Sequence, residues 1–284
     1  IYDARTLGTP RMLVLGLQHL FAMFGATVLV PILVQGYGLP LSIQTTLLMA
    51  GIGTLLFHVC TKFKVPAFLG SSFAYLGGFS TVATLPAYEG MDPQTKLAYA
   101  LGGVVIAGLL YLVLALLFKV LGAKKVMRFF PPIVTGPIII CIGLSLAGSA
   151  INNCQANWGI ALLAIAVVIF CNIWGKGMIK IIPILLGVVA SYAVAMIVDP
   201  AARATVAQKV SEAAWIGLPI HWEKTALSIF GEGFDPSLLI TSIITIMPIA
   251  LATIVEHIGD MCAISSTVGK NYVEDPGLHR TLVG

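Results

Sequence analysis

In Ile254-Val-Glu-His-Ile-Gly-Asp260, three titratable side chains fall within five residues of otherwise apolar sequence. Glu256 and Asp260 are four residues apart, so on a helix they share one face at a separation of about 6 Å. Two carboxylates that close in low dielectric cannot both ionise cheaply, and such a pair is suited to gain and lose a proton. Charged groups inside an apolar run usually face a cavity and mark a pathway. The alternative places both acids at the cytoplasmic end of the run, in water, because the apolar sequence weakens after Ile258. Pro248, upstream in the same run, favours the first reading, since it removes a backbone hydrogen bond and can bend a helix around a site. His257 stands between the acids as a candidate support for the site.

A second polar cluster interrupts an apolar run at Val65-Pro-Ala-Phe-Leu-Gly-Ser-Ser-Phe-Ala-Tyr75. Irregular backbone at membrane depth is tolerated only where protein buries it or where it lines a cavity. The spacing predicts an unwound or strand-like segment over 67–72, followed by a half-helix whose first N–H groups face a substrate. Ser71 and Ser72 supply hydroxyls there, and Phe73 offers a ring for a flat ligand. The competing reading is that Gly and Ser only let helices approach closely. A third cluster, Gln18 and His19, lies in the first apolar run, where a lone histidine reads first as a helix–helix hydrogen-bond partner. His58 reads as interfacial.

These groups need a membrane-spanning frame, and the composition supplies one. Of 284 residues, 58% are hydrophobic and 10% charged, and the mean hydropathy is +0.98. A soluble domain carries about 25% charge. A crossing helix needs about 20 apolar residues, which gives eight spans near 12–34, 41–61, 65–84, 97–118, 132–150, 158–175, 181–198 and 237–262. The fold class is therefore all-α and polytopic. With the N-terminus cytoplasmic, only Lys96, Arg203, Lys209 and Lys224 of the 16 Lys and Arg residues fall outside. The other twelve, Arg5 and Lys124 among them, fall inside, a positive-inside bias. Trp158, Trp174, Trp215 and Trp222 sit at span ends or in the last outer loop, as interfacial anchors do.

The hydrophilic stretch 199–236 reads as a connector, with an amphipathic helix over 201–216. The first run, 12–34, is longer than a signal-peptide core and reads as a retained span. Cys60, Cys141, Cys154, Cys171 and Cys262 are scattered, which fits buried small hydrophobes rather than metal ligands. No two histidines have ligand spacing, and no phosphate-binding loop or dinucleotide fingerprint occurs. An enzyme, an ATP-driven pump and a nucleic-acid binder are disfavoured together. No cofactor or metal is expected.

Together the motifs resemble one family. Gln18-His-Leu-Phe-Ala-Met-Phe-Gly-Ala-Thr-Val-Leu-Val-Pro31 is similar to the first span of the nucleobase–ascorbate transporters, near the bacterial uracil and xanthine permeases. Leu69-Gly-Ser-Ser-Phe-Ala-Tyr75 resembles their broken third span, Glu256-His-Ile-Gly-Asp260 their eighth-span motif, and Asp275-Pro-Gly-Leu-His-Arg280 the segment after it. The resemblance implies fourteen spans in two inverted seven-span repeats. It assigns 1–128 to core-domain spans one to four, 129–200 to gate-domain spans five to seven, 201–236 to an extracytoplasmic linker, and 237–284 to core-domain span eight and the segment following it. The chain stops at Gly284, before the family's tenth-span motif, so the expectation is a fragment holding one repeat and the first span of the next.

By the same resemblance Glu256 hydrogen-bonds the base, Phe73 packs on it with Ala26 nearby, and His19 braces the broken segment through Ser72. Asp260 stands where some uracil permeases carry histidine and many purine or xanthine carriers carry aspartate. The implied activity is proton-coupled import of uracil or a related nucleobase across the bacterial inner membrane, with H⁺ favoured over Na⁺ as the coupling ion. The alternatives are a purine or xanthine symporter of the same family and a truncated, non-transporting membrane protein. Gly136, Gly143 and Gly148 in the gate spans permit a homodimer.

Overall fold

Each of the eight apolar runs folds as helix, wholly or in part, and the third is broken as its composition predicts. The computed structural model describes residues 6, 8–122, 125–126, 128, 132–213, 217–230 and 234–284. Arg5, Lys124 and Trp215, which enter the charge and anchor arguments, lie outside them. The helices are α1 (Thr9–Gly36), α2 (Ile43–Cys60), α3 (Leu76–Thr84), α4 (Pro93–Leu121), α5 (Pro132–Ser145) and α6 (Ala147–Cys154). They continue as α7 (Trp158–Trp174), α8 (Pro183–Val198), α9 (Pro200–Glu212), α10 (Pro236–Val268) and α11 (Leu278–Thr281).

Among the described residues, five stretches are long and apolar enough to cross a membrane: α1, α2, α4, α10 and Gly136–Cys154. The runs at α7 and α8 are shorter, at 17 and 16 residues. Helix α8 turns by 109° into α9, which fills most of the amphipathic stretch expected over 201–216. Leu55, Leu116 and Ile244 stand more than half exposed on α2, α4 and α10. Outward-facing apolar side chains of this kind suit lipid rather than water. The chain is a multi-pass membrane protein.

Aspartate followed by proline occurs four times, and three of the four open a helix. Asp92 accepts hydrogen bonds from the Gln94 and Thr95 amides (both 3.0 Å), Asp199 from Ala201 and Ala202 (2.9 and 3.2 Å), and Asp235 from Ser237 (2.8 Å). The carboxylate satisfies first-turn N–H groups, while proline occupies the one position where its missing N–H costs nothing. These bonds hold the Asp92 carboxyl below the usual carboxylate range, the Thr95 hydroxyl contributing most. Ser42 and Asn157 cap α2 and α7 in the same way.

The chain divides into two compact units. The first comprises residues 1–26 and 146–218. Within it α7 and α8 pack closely: a Cβ on Gly187 would lie 2.7 Å from a Val168 methyl and 3.1 Å from the Ala164 carbonyl oxygen. The second comprises 27–145 and 219–284, and α10 runs through it against α3, α4 and α5. A Cβ on Gly103 would meet the Ser242 carbonyl oxygen at 3.0 Å, and one on Gly78 an Ile249 methyl at 2.9 Å. Small residues on α3 and α4 thus let α10 come close, as in other membrane helix pairs. One end of this unit holds an apolar core of Phe57, Phe118, Ile254, Ile258, Met261, Tyr272, Leu278 and Leu282.

Candidate functional site

The break in the third apolar run extends over 64–72, where no helix forms. Pro66 and Gly70 disfavour helix there, and Ser72 has extended dihedrals (φ −85°, ψ 127°). A 3₁₀ turn over Phe73–Tyr75 follows and leads into α3, so an unwound segment does precede a half-helix. Among the described residues this extended backbone pairs with no strand.

Side chains satisfy the exposed backbone. The Thr54 hydroxyl on α2 accepts from the Leu69 N–H at 3.1 Å and faces the Leu69 carbonyl at 3.2 Å. The Ser72 hydroxyl accepts from the Ala74 N–H at 3.3 Å and caps the turn. The third bond has its origin in α1. Pro31 has no N–H to give the carbonyl four residues back, which belongs to Thr27. The Ser71 hydroxyl donates to that carbonyl at 3.2 Å. The proline thus removes one donor that would compete with Ser71 for this carbonyl. Gly70 permits the approach, since a Cβ there would sit 3.0 Å from the Thr27 hydroxyl oxygen.

Helix α10 carries the two acids. Glu256 is half-buried and Asp260 exposed, and neither carboxylate makes a hydrogen bond or ion pair among the described residues. The helix runs unbroken through Pro248 for 33 residues. One turn before Glu256, Thr253 gathers two phenols: the Tyr111 hydroxyl donates to it at 2.6 Å, and the Tyr75 hydroxyl lies at 3.5 Å. Tyr111 is close enough to Glu256 to interact with its charge. The sequence reading passed over all three hydroxyl residues. The available signal was Tyr111 midway along the apolar run of α4 and Thr253 one turn from an acid.

The chain after α10 folds back onto the same unit. The Lys64 ammonium donates to both carboxylate oxygens of Asp275 (2.5 and 2.7 Å), and Arg280 donates to the Cys60 carbonyl at the end of α2 (3.3 Å). His257 Nε2 lies 3.0 Å from the Thr281 hydroxyl oxygen. Asp275 is thus the one Asp-Pro aspartate turned to an ion pair instead of a helix cap. Burial, with the charges of Arg280 and Lys119, holds the His279 imidazole below its usual range.

The second unit thereby packs the turn Phe73–Tyr75, which follows Ser71 and Ser72, against α10, which carries Glu256, His257 and Asp260. Ser71, Ser72 and Tyr75 also line a largely apolar cavity of about 610 Å³ between α2, α4 and the connector at 222–227, which neither Phe73 nor Glu256 lines. Gln18, His19 and Ala26 belong to the first unit. There Gln18 is half-buried and Ala26 exposed, and His19 Nδ1 lies 3.2 Å from the Leu15 carbonyl of its own helix. Among the described residues, no group of three or more His, Cys, Asp or Glu side chains is arranged to hold a metal ion.

Comparison with known proteins places this arrangement among carriers. Residues 10–284 match the Permease family. The uracil permease of Bacillus caldolyticus is 39% identical, covering 100% of this chain and 62% of the relative. The probable uracil permease of Haemophilus influenzae is 38% identical over 95% of this chain and 60% of the relative. The uracil permease of Bacillus subtilis is 35% identical over 94% of this chain and 59% of the relative. The chain thus spans about three-fifths of the length of these relatives, whose names are those of transporters rather than enzymes.

Proposed function

We propose a transport function on the premise that this chain belongs to the Permease family, the nucleobase–ascorbate transporters. The protein of which it forms part or all imports uracil or a closely related nucleobase, with a proton as the coupling ion. The uracil permeases that align along almost the whole chain support the substrate. The observation that carries the mechanism is the pair of unpartnered acids, Glu256 and Asp260, on a helix otherwise packed by apolar and hydroxyl groups. A carboxylate left without an internal partner at membrane depth is available to a ligand or a proton.

In this reading Glu256 accepts hydrogen bonds from the base, and Phe73 packs on its face with Ala26 nearby. Asp260 carries the proton that accompanies the base or tunes its uptake. Gln18, His19, Ser71 and Ser72 hold the surroundings in place. The N-terminus is cytoplasmic, the bacterial inner membrane is the location, and spans one to four and eight form the substrate-binding core beside a gate built from spans five to seven. The rest of a second, inverted repeat completes the site, and the gate spans carry a homodimer contact.

The test is accumulation of labelled uracil and labelled xanthine in cells producing the full-length protein, with and without a proton uncoupler. Uracil accumulation that the uncoupler abolishes is the expected result. Accumulation of xanthine alone selects the purine-type symporter. Accumulation of neither base rejects the transport reading.

A further inference from the structure

Two directional bonds hold one face of α10 beside the acids. On one side Tyr111 donates to Thr253 at 2.6 Å. On the other, four residues on, His257 meets Thr281 of α11 at 3.0 Å. Residues 253 and 257 share a helix face, while 256 and 260 share the neighbouring one, turned by about 60°.

The Thr281 hydroxyl reaches two partners, His257 Nε2 at 3.0 Å and the Leu278 carbonyl at 3.2 Å. With one proton and two lone pairs it accepts from a protonated Nε2 or donates to a bare one. In either tautomer Nε2 is engaged by Thr281.

The segment that presents Thr281 is itself firmly seated. Leu278 and Leu282 enter the core beside Phe57, Ile254 and Ile258. Arg280 bonds the end of α2, and Asp275 pairs with Lys64 where the broken segment begins. Close packing already seats α10, and a hydrogen bond to a fixed partner adds a direction to that contact. Two such bonds one turn apart set the rotation of α10 at the level of its acids.

We propose that Thr281 and His257 are positioning residues for transport: Thr281 fixes the His257 ring, and through it the facing of Glu256 and Asp260. This rests on the reading that those two acids receive the base and the proton. Neither Thr281 nor His257 touches the substrate. They determine how the acids meet it.

The experiment measures concentration-dependent uracil uptake by the full-length protein. Thr281→Val keeps the shape and loses the hydroxyl; it raises KM about tenfold and leaves maximal uptake within about twofold. Thr281→Ser restores the wild-type KM. His257→Phe, which loses the ring nitrogens, reproduces the Thr281→Val shift, so the test survives if one variant fails to insert. Leu282→Ala is the control for loosened packing, with a lower thermal midpoint and an unchanged KM. An unchanged KM in Thr281→Val and His257→Phe, with Glu256→Gln inactive, overturns the positioning role and leaves the transport reading standing. Equal KM shifts in Thr281→Val and Leu282→Ala overturn it too, as a general packing effect. Normal uptake in Glu256→Gln removes the transport reading and this inference with it.

Discussion

The broken segment and the acidic turn of α10 lie in the same unit and treat their polar groups in opposite ways. Along 64–72, Leu69 is held by Thr54, Ser71 by Thr27, and Ser72 closes the turn at Ala74. On α10, Glu256 and Asp260 are held by nothing among the described residues. Where the chain needs only to stay irregular in an apolar setting, its polar groups pair internally, because an unpaired one costs several kcal/mol there, on the order of a full desolvation penalty. At the acidic turn of α10 the carboxylates are left open. The difference separates polar groups that the fold closes from polar groups that it leaves open.

The sharpest test of that contrast removes an open group. Glu256→Gln lowers uracil uptake about 100-fold, as expected for losing a charge-assisted hydrogen bond at a binding site, and leaves the thermal midpoint nearly unchanged. Uptake and melting in detergent, measured on one preparation, check both halves. A matching fall in the midpoint places Glu256 with the structural groups instead. Removing a closed group does the reverse. Thr54→Val strips Leu69 of both side-chain bonds and destabilises the unit by about 1–3 kcal/mol, read as a lower midpoint with uptake falling in proportion to folded protein.

A subtler test concerns Pro31. Ser71→Ala removes the hydroxyl that donates to the Thr27 carbonyl and costs about 1 kcal/mol. With Pro31→Ala also present, α1 regains the N–H that reaches that carbonyl, and most of the cost disappears. A double-mutant cycle on the thermal midpoint then gives a coupling of about 0.5–1 kcal/mol, and a coupling of zero contradicts the account of the break. The smallest effect belongs to His279. Its imidazole is harder to protonate folded than unfolded, so the unfolded chain binds more protons as pH falls through about 6.5, and stability falls with it. His279→Gln flattens the dependence of the midpoint on pH between about 7 and 5.

Much of this was legible in the sequence because it depends on local composition. Apolar runs located the helices, and Pro66, Gly70 and Ser71 located the break to within a few residues. Glu256 and Asp260 were conspicuous as acids in an apolar setting. The partners were not legible, for a reason of distance along the chain. Thr54 and Leu69 are 15 residues apart, Thr27 and Ser71 are 44 apart, and Tyr111 and Thr253 are 142 apart. No periodicity links such positions, and a hydroxyl in a membrane helix looks the same whether it bonds its own turn or another segment. His257 illustrates the limit. It was picked out as a candidate support for the site, but its pairing with Thr281 follows only from the fold.

The capping of α10 also fixes depth. At 1.5 Å per residue, its 33 residues run about 50 Å, against a hydrocarbon layer of about 30 Å, so the helix has room to slide along its axis. Asp235 at one end and Lys270 just past the other act as stops, because drawing either to the bilayer centre costs about 2.5–3.5 kcal/mol on an insertion scale. Glu256 then sits about 30 Å along the helix from Pro236 and about 18 Å from Val268. The level of the two acids along the helix is thus measured out from two charged ends, each at least ten residues from Asp260 or Glu256.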